Sequence, residues 1–314
     1  MLKGITPMRI TVLGGAGKMG CIAVQDLTNN EAVDQVIIAD VQVDQANQVA
    51  EFLDSPKVLV HPVDTKDPDY LVKAIQGSQV CLNATVYYTN LHVMEACLQS
   101  GVHYTDMGGL FHTTRKQLML QDRFADAGLS AVLGMGSAPG IPNIQTRYAA
   151  DQLDSIESIK IYDGIKPPPA GDLRFTYAIP TILDELTMAP MVFRDGQFLA
   201  CEPMSEFEDY WFTKPLGLLP MHLSLHSEVA TLPVTFKDKG VKETFFKINY
   251  WGMSKETVEK VRVLADFGFN NHEAVLIGDQ QIVPRQVMVH LLSDYVAPIT
   301  DFLAPPKNHP PDWV

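Results

Sequence analysis

The first 140 residues alternate between short apolar runs and stretches whose apolar residues recur at helical spacing. Strand-length apolar runs occupy 9–13, 35–39, 58–61, 79–82, 103–105 and 131–133. After the first run, Met19, Ile22, Ala23 and Leu27 share one helical face, and Leu91, Met94 and Leu98 do so after the fourth. The strand runs are continuously apolar rather than alternating, the pattern of strands covered on both faces. Strand and helix in turn at this spacing predict an α/β fold: a Rossmann-type, doubly wound parallel sheet.

The rhythm breaks at Ser137-Ala138-Pro139-Gly140-Ile141-Pro142. Beyond it the pattern predicts a strand at 158–163, a loop at Pro167-Pro168-Pro169 and a helix that Pro180 opens in its first turn. A hairpin turn follows at Asp195-Gly196, then an alternating strand at 244–250 and a helix at 255–267. This half reads as a mixed α+β second domain without an internal repeat. Pro284 starts a final helix through Leu303, and the tail 304–314, with four prolines, reads as extended or disordered. The expected organisation is an NAD-binding Rossmann domain over 1–141, a mixed substrate and dimerisation domain over 142–281, and a terminal helix and tail over 282–314 that packs back on the first domain. The tail leads into no further folded element, which reads as a chain cut short.

Composition narrows the function classes. The net charge is −13 and no Lys/Arg cluster occurs, which excludes nucleic acid and anionic membrane as partners. A small anionic ligand stays compatible, because backbone amides can hold one locally. No run approaches the roughly 18–20 apolar residues of a membrane span, and the N-terminal stretch has no signal-peptide core. Cys21, Cys81, Cys97 and Cys201 form no C-x-x-C pair and read as buried thiols in a reducing compartment, so the expected location is cytoplasmic.

The chemistry is concentrated in Gly14-Gly15-Ala16-Gly17-Lys18-Met19-Gly20, directly after the first strand. Gly15, Gly17 and Gly20 satisfy G-x-G-x-x-G, and Gly14, Gly17 and Gly20 also fit a G-x-x-G-x-x-G variant. The first glycine permits the turn, the second lets a pyrophosphate approach the backbone, and the third brings helix and sheet together. The amides of Gly15 to Met19, at the positive end of the following helix, then face the phosphates. The second strand ends in Asp40, twenty residues past Gly20, where a carboxylate accepts hydrogen bonds from ribose hydroxyls. Asp40 would repel the 2′-phosphate of NADP, and Val41, Gln42, Val43 and Asp44 supply no cation to receive it, so NAD is the expected cofactor. Asp64 is placed to reach the adenine amine. Asn83-Ala84-Thr85 lies at the carboxyl edge where the nicotinamide half passes, although short polar residues there are also common turn formers. Tyr87 and Tyr88 either line the nicotinamide pocket or pack a helix.

Asn83-Ala84-Thr85, Asn90-Leu91-His92, Ala96-Cys97-Leu98, 101–106 and 134–143 resemble, in order and spacing, the saccharopine dehydrogenase-like family. More loosely, Asp163-Gly164, Tyr177 ahead of Asp184-Glu185, and 227–233 are similar to its lysine 6-dehydrogenase branch. Ala138 stands where the family has Asp before Pro-Gly, and Ile248-Asn249-Tyr250-Trp251-Gly252 departs from the branch's Arg-Tyr stretch. The resemblance implies hydride transfer between nicotinamide and a carbon bearing an amine, through an imine. Asn90 joins the expected cofactor contacts on this ground.

Such chemistry needs a group for the ammonium, a base and a clamp for the substrate carboxylate. Asp106, at the end of the fifth strand, suits an ammonium or a proton transfer, or else caps the turn through Gly108-Gly109. His103 points to the other face. His222 and His226 would share a face if 221–228 were helical, but no H-E-x-x-H or third ligand accompanies them and no metal is assigned. His226 and Glu228 are candidate pocket residues. Lys166, Arg174 and Arg147 are candidates for the carboxylate. No cysteine sits in an activating context. The expected activity is NAD-dependent oxidation at the CH–NH of an amino acid or amine by a homodimer or higher oligomer. A dihydrodipicolinate-reductase-like imine reductase and a non-catalytic NAD-binding regulator are the alternatives. Asp40→Ala is expected to weaken NAD binding in calorimetry without weakening NADP; an equal loss of both would refute the cofactor argument.

Overall fold

The computed structural model describes residues 7–166, 175, 177–250, 253–293, 295 and 303. They form two compact units, one running to Ile144 and including Leu303, the other running from Gln145 to Tyr295. The first contains β1 (Arg9–Leu13), α1 (Lys18–Asn29), β2 (Gln35–Asp40), α2 (Val43–Leu53), β3 (Val58–Pro62), α3 (Pro68–Ile75) and β4 (Val80–Asn83). It continues with α4 (Asn90–Ser100), β5 (His103–Asp106), α5 (Phe111–Leu118), α6 (Gln121–Asp126), β6 (Ala131–Val132) and the start of α7 (Ile141–Ala150).

The six strands run parallel in the order β3-β2-β1-β4-β5-β6. Chain direction across the sheet reverses between β1 and β4, which opens a crevice beyond their carboxyl ends. Strand alternation splits the core in two. Leu13, Ile37 and Ala39 face α3 and α4 through Leu71, Ile75, Met94 and Cys97. Val12, Val36 and Ile38 face α1 and α2 through Cys21, Val24, Ala46 and Val49, and Leu303 joins this second cluster. Ile37 and Ile38 are fully buried, each contributing about 1.5–3 kcal/mol of transfer free energy. Cys21, Cys81 and Cys97 are buried free thiols, and Cys201 is half-buried.

The buried face of α1 is Gly20, Cys21, Val24 and Thr28; Met19 and Ile22 are exposed, contrary to the face read from apolar spacing. Backbone contact decides the rotation. A Cβ on Gly20 would lie 2.1 Å from the Gly14 carbonyl oxygen, so this position must face the turn.

The second unit contains β7 (Ser158–Asp163), α8 (Ile179–Thr187), β8 (Met191–Arg194), β9 (Gln197–Ala200), β10 (Glu208–Trp211), β11 (Leu218–Leu223) and α9 (Glu228–Thr235). Then come β12 (Glu243–Ile248), α10 (Lys255–Leu264), β13 (Val275–Ile277), β14 (Gln280–Ile282) and α11 (Pro284–Ser293). The main sheet runs β10-β11-β12-β8-β9, with β7 parallel beside β12 and the other pairings antiparallel. Pro180 lies in the first turn of α8, and the β8–β9 turn places both Asp195 and Gly196 at positive φ, 47° and 84°.

Two readings change here. Residues 221–228 are not one helix: β11 ends at Leu223 and α9 begins at Glu228, so His222 and His226 sit on different elements. The helix at 255–267 leaves α-geometry after Leu264 in a wider turn closed by left-handed Gly268. The final helix begins at Pro284 as expected and is described to Ser293; most of its expected continuation to Leu303 lies outside the described residues. The Pro167-Pro168-Pro169 loop and the tail 304–314 lie outside the described residues.

Gly20→Ala should lower stability by about 1–3 kcal/mol through the forced shift of the turn, read as a lower thermal midpoint. Gly240→Ala, whose Cβ would meet nothing within 4 Å, isolates the cost of positive φ alone.

Candidate functional site

At the carboxyl edge of β1 the chain turns through Gly14, at φ 72°, where a side chain would press on Ala84 and Thr85 at 3.0 Å. Gly17 caps α1 with extended backbone, and a Cβ there would meet only the Gly14 oxygen, at 3.2 Å. The closest contacts therefore fall on Gly20 and Gly14, with Gly15 next, and Gly17 is the least hemmed in of the four, with a single atom within 4 Å. No side chain caps α1 and no acidic residue lies in its first turn. A bare helix start beneath an open glycine is the cradle a pyrophosphate fills, so the residues present fit a dinucleotide.

Asp40 is buried at the end of β2. Its Oδ2 accepts from the Ala16 amide at 3.0 Å and its Oδ1 from the Gln42 amide at 2.9 Å. Gln45 on α2 donates to the Ala16 carbonyl at 2.9 Å, so both polar groups of Ala16 are held from the β2–α2 side. The carboxylate keeps acceptor capacity for a ribose. Lys18 is half-buried, which lowers its ammonium pKa, while Met19 and Val41 are exposed. Asp64 is exposed and accepts from the Lys66 amide at 2.9 Å in a local turn.

Behind this edge lies a buried polar network. Asn83 Oδ1 accepts from the Thr85 hydroxyl at 2.6 Å, and Asn83 Nδ2 donates to Asn90 Oδ1 at 2.9 Å. Asn90 Nδ2 reaches Asp106 Oδ2 at 3.3 Å. That oxygen also accepts from the Tyr104 hydroxyl at 2.8 Å and Gln117 Nε2 at 2.6 Å. Asp106 Oδ1 accepts from the amides of Gly108 at 2.9 Å and Gly134 at 2.7 Å. Of its two expected roles, Asp106 takes the cap of the turn at Gly108 and is not presented to a substrate. It is 1% exposed and accepts five hydrogen bonds, anchoring two loops and two helices. Asn83 and Asn90 are likewise buried. Tyr87 is half-buried, Tyr88 is exposed, and their rings meet edge-on at 5.6 Å. His103 Nδ1 accepts from the Ser130 amide at 2.9 Å.

The second unit holds a separate buried cluster. The His226 ring stacks on Phe246 of β12 at 3.7 Å and 5°, and its Nδ1 is bonded to Glu228 Oε2. Glu228 opens α9, where the helix start favours a carboxylate; it is fully buried, and its Oε1 has no partner among the described residues. Glu185 of α8 accepts from the Tyr177 hydroxyl at 2.8 Å and from Ser224 Oγ at 3.5 Å. Burial alone would lower the His226 pKa, but Glu228, Glu185 and Asp163 outweigh it and raise the pKa to about 9. Burial and the nearby Glu228 raise Asp163, against the opposing pull of His226. Burial, Glu185 and Asp163 hold the Tyr177 phenol well above its ordinary range. His222 stands apart beside Phe207 and Tyr250, and burial lowers it to about 4. Among the described residues no group of three or more His, Cys, Asp or Glu is placed to hold a metal, and no helix is long and apolar enough to cross a membrane.

Residues 10–132 match the family model described as the saccharopine dehydrogenase NADP binding domain. That match falls within the first unit, which is similar to this family's domain. Among curated proteins, the chain is 28% identical over 299 residues to a carboxyaminopropylagmatine dehydrogenase of Synechocystis, covering 91% of this chain and 73% of that one. It is 23% identical to a carboxynorspermidine synthase of Vibrio cholerae, with the same coverage. The fold is similar to saccharopine dehydrogenase from Saccharomyces cerevisiae, with a TM-score of 0.62 at 18% identity. That match covers 85% of this chain, which spans 60% of the yeast one. A homospermidine synthase from Legionella pneumophila, solved with NAD, matches at TM-score 0.58 and 13% identity over 84% of this chain and 69% of that one.

In this saccharopine dehydrogenase-type domain, sequence reasoning missed Gln45, Tyr104 and Gln117, whose roles are purely tertiary. In the second unit it missed Asp163, Tyr177, Glu185 and Ser224 as site residues; the first three lay inside segments noted for family likeness, the only signal they carried. Lys166 is exposed, after Ile165, whose amide donates to Asn249 Oδ1 at 2.6 Å. Arg174 lies outside the described residues. Arg147 pairs with Asp151 at 2.9 Å on the surface of α7.

Because the folded His226 pKa of about 9 lies above the ordinary 6.5, its protonation stabilises the fold fully below pH 6.5. That contribution fades as the pH rises through about 9. Denaturant unfolding should show this decline in the parent protein and a flatter profile over the same window in His226→Gln.

Proposed function

We propose that the protein is an NAD-dependent oxidoreductase acting on the C–N bond of a carboxyalkyl-substituted di- or polyamine, by hydride transfer through an imine. The observation that carries the amine reading is the cluster of Asp163, Glu185, Glu228 and His226, which sets three carboxyl groups against one imidazolium. Such a site suits a cationic nitrogen, and a net charge of −13 favours the approach of a polycation. The curated relatives' names point the same way, toward carboxylated polyamines rather than free lysine.

In this reading Glu228 Oε1 and Glu185 bind the substrate's ammonium groups. His226, protonated beside Glu228, supplies the proton when the imine is reduced, and in its neutral form takes the amine proton when the amine is oxidised. Tyr177 orients Glu185. Lys166 and Arg174 are the proposed clamp for the substrate carboxylate. Gly15, Ala16, Gly17, Lys18 and Met19 hold the pyrophosphate; Asp40 and Val41 flank the ribose, Asp64 the adenine, and Ala84, Thr85 and Tyr87 the nicotinamide side. Asn83, Asn90 and Asp106 position those loops from behind. When bound, the nicotinamide supplies the hydride acceptor. NAD rather than NADP follows from Asp40 and the absence of a cation at 41–44.

Turnover should be seen by nicotinamide absorbance at alkaline pH with carboxyaminopropylagmatine or carboxynorspermidine and NAD, and should exceed that with saccharopine or L-lysine. NAD binding in calorimetry with no turnover on any of the four would sink the enzymatic reading. Asp40 also pins Ala16, so Asp40→Asn is the cleaner cofactor test than Asp40→Ala, since the amide still accepts one bond. It should weaken NAD by about tenfold or more, the worth of a charged hydrogen bond, and leave NADP unchanged or tighter.

A further inference from the structure

We propose that Phe246 is a positioning residue for His226: its ring holds the imidazole face-on and settles the proton of the His226–Glu228 pair on the histidine. The consequence for catalysis rests on the reading of His226 as the proton-transfer group.

The platform under the histidine is rigid. Phe246 is fully buried in β12, where it pairs with Ile161 of β7. Its carbonyl accepts from the Ser224 amide at 3.2 Å, two residues before His226, so the segment that carries the histidine is tied to this point of the strand. The two rings lie 3.7 Å apart at 5°. With one face on Phe246 and Nδ1 bonded to Glu228 Oε2, both the plane and the rotation of the imidazole are set.

A buried histidine and glutamate share a proton in one of two ways. They form an imidazolium beside a carboxylate, or an imidazole beside a carboxylic acid. Burial favours the second, because it holds no separated charge. The groups facing the pair are Asp163 on β7 and Glu185 on α8, with the Tyr177 hydroxyl behind Glu185. Nearby carboxylates favour a proton on either partner, so they do not choose between the two forms. β12 brings no charge to this face. Lys247, the next residue, bonds Glu208 and lies over the Phe245 ring, which strand alternation puts on the other side of the sheet. The phenyl face of Phe246 is different in kind. It is negative, it lies against the imidazole, and it attracts that ring only when the ring is a cation. It therefore selects the imidazolium, in line with the raised His226 pKa of about 9.

NMR of the His226 ring nuclei in the full chain, titrated from neutral to alkaline pH, tests this. The parent protein should show an imidazolium that titrates near 9. Phe246→Leu should lower that midpoint by about one unit, a tenfold shift towards the neutral ring. Trifluorophenylalanine placed at 246 keeps the size of the ring and removes its negative face, so it should lower the midpoint similarly, and it decides the matter if the leucine variant does not fold. Phe245→Leu, on the opposite face, should leave His226 where it is. A midpoint that stays or rises in the fluorinated variant overturns the proposal. The rise of amine oxidation with pH should begin about one unit lower in the same variant. A moved NMR midpoint with an unmoved turnover profile upholds the hold of Phe246 on His226 and refutes the proton-transfer reading instead.

Discussion

The cofactor edge of this protein depends on one buried carboxyl group. Asp106 sits at 1% exposure, where a bare carboxylate would cost several kcal/mol. Five donors offset that cost, and they come from different parts of the chain: Tyr104 on β5, Asn90 on α4, Gln117 on α5, and the backbone at Gly108 and Gly134. The demand of one group for partners thus sets the positions of two loops and two helices. Through Asn90 and Asn83 the same network orients Thr85, against which Gly14 packs. The glycine turn is shaped from behind by a polar network and from the side by Asp40 and Gln45.

The second unit solves a similar problem differently. Asp163, Glu185 and Glu228 are drawn together around a single imidazolium rather than around amides. One Glu228 oxygen is left without a partner among the described residues. A network with spare acceptor capacity and a histidine raised to about 9 is less settled than the one around Asp106. Groups held this way are poised for a cation or a proton, whereas the Asp106 network is complete as it stands.

Much of the first unit was legible along the chain because both signals there are local. Continuous apolar runs separated by helical stretches place all six strands, and the glycine spacing with Asp40 marks the nucleotide edge. Where the reading failed, a non-local contact had overridden a local one. Apolar spacing put Met19 and Ile22 on the inner face of α1, but Gly20 had to meet Gly14 and turned them outward. The common face that His222 and His226 would have on a helix does not arise, because pairing of His222 and Leu223 with β12 makes 221–223 strand and α9 starts only at Glu228. Strand β10 was missed because all four of its residues are exposed and carry no apolar alternation, and β11, β13 and β14 were not read from the sequence either.

By itself the sequence determined a Rossmann-type domain, its glycine turn, the acidic residue that ends the second strand and the likeness to saccharopine dehydrogenases. These follow from periodicity and from the spacing of glycines, of which Gly17 and Gly20 are constrained by Gly14 a few residues away. Only the tertiary structure decided that Asp106 is an anchor, that His226 pairs with Glu228 while His222 stands apart, and that Asp163, Tyr177 and Glu185 join them. Those assignments rest on burial and on hydrogen bonds between residues far apart in the chain, and the low dielectric that gives them their chemistry exists only once the chain has folded.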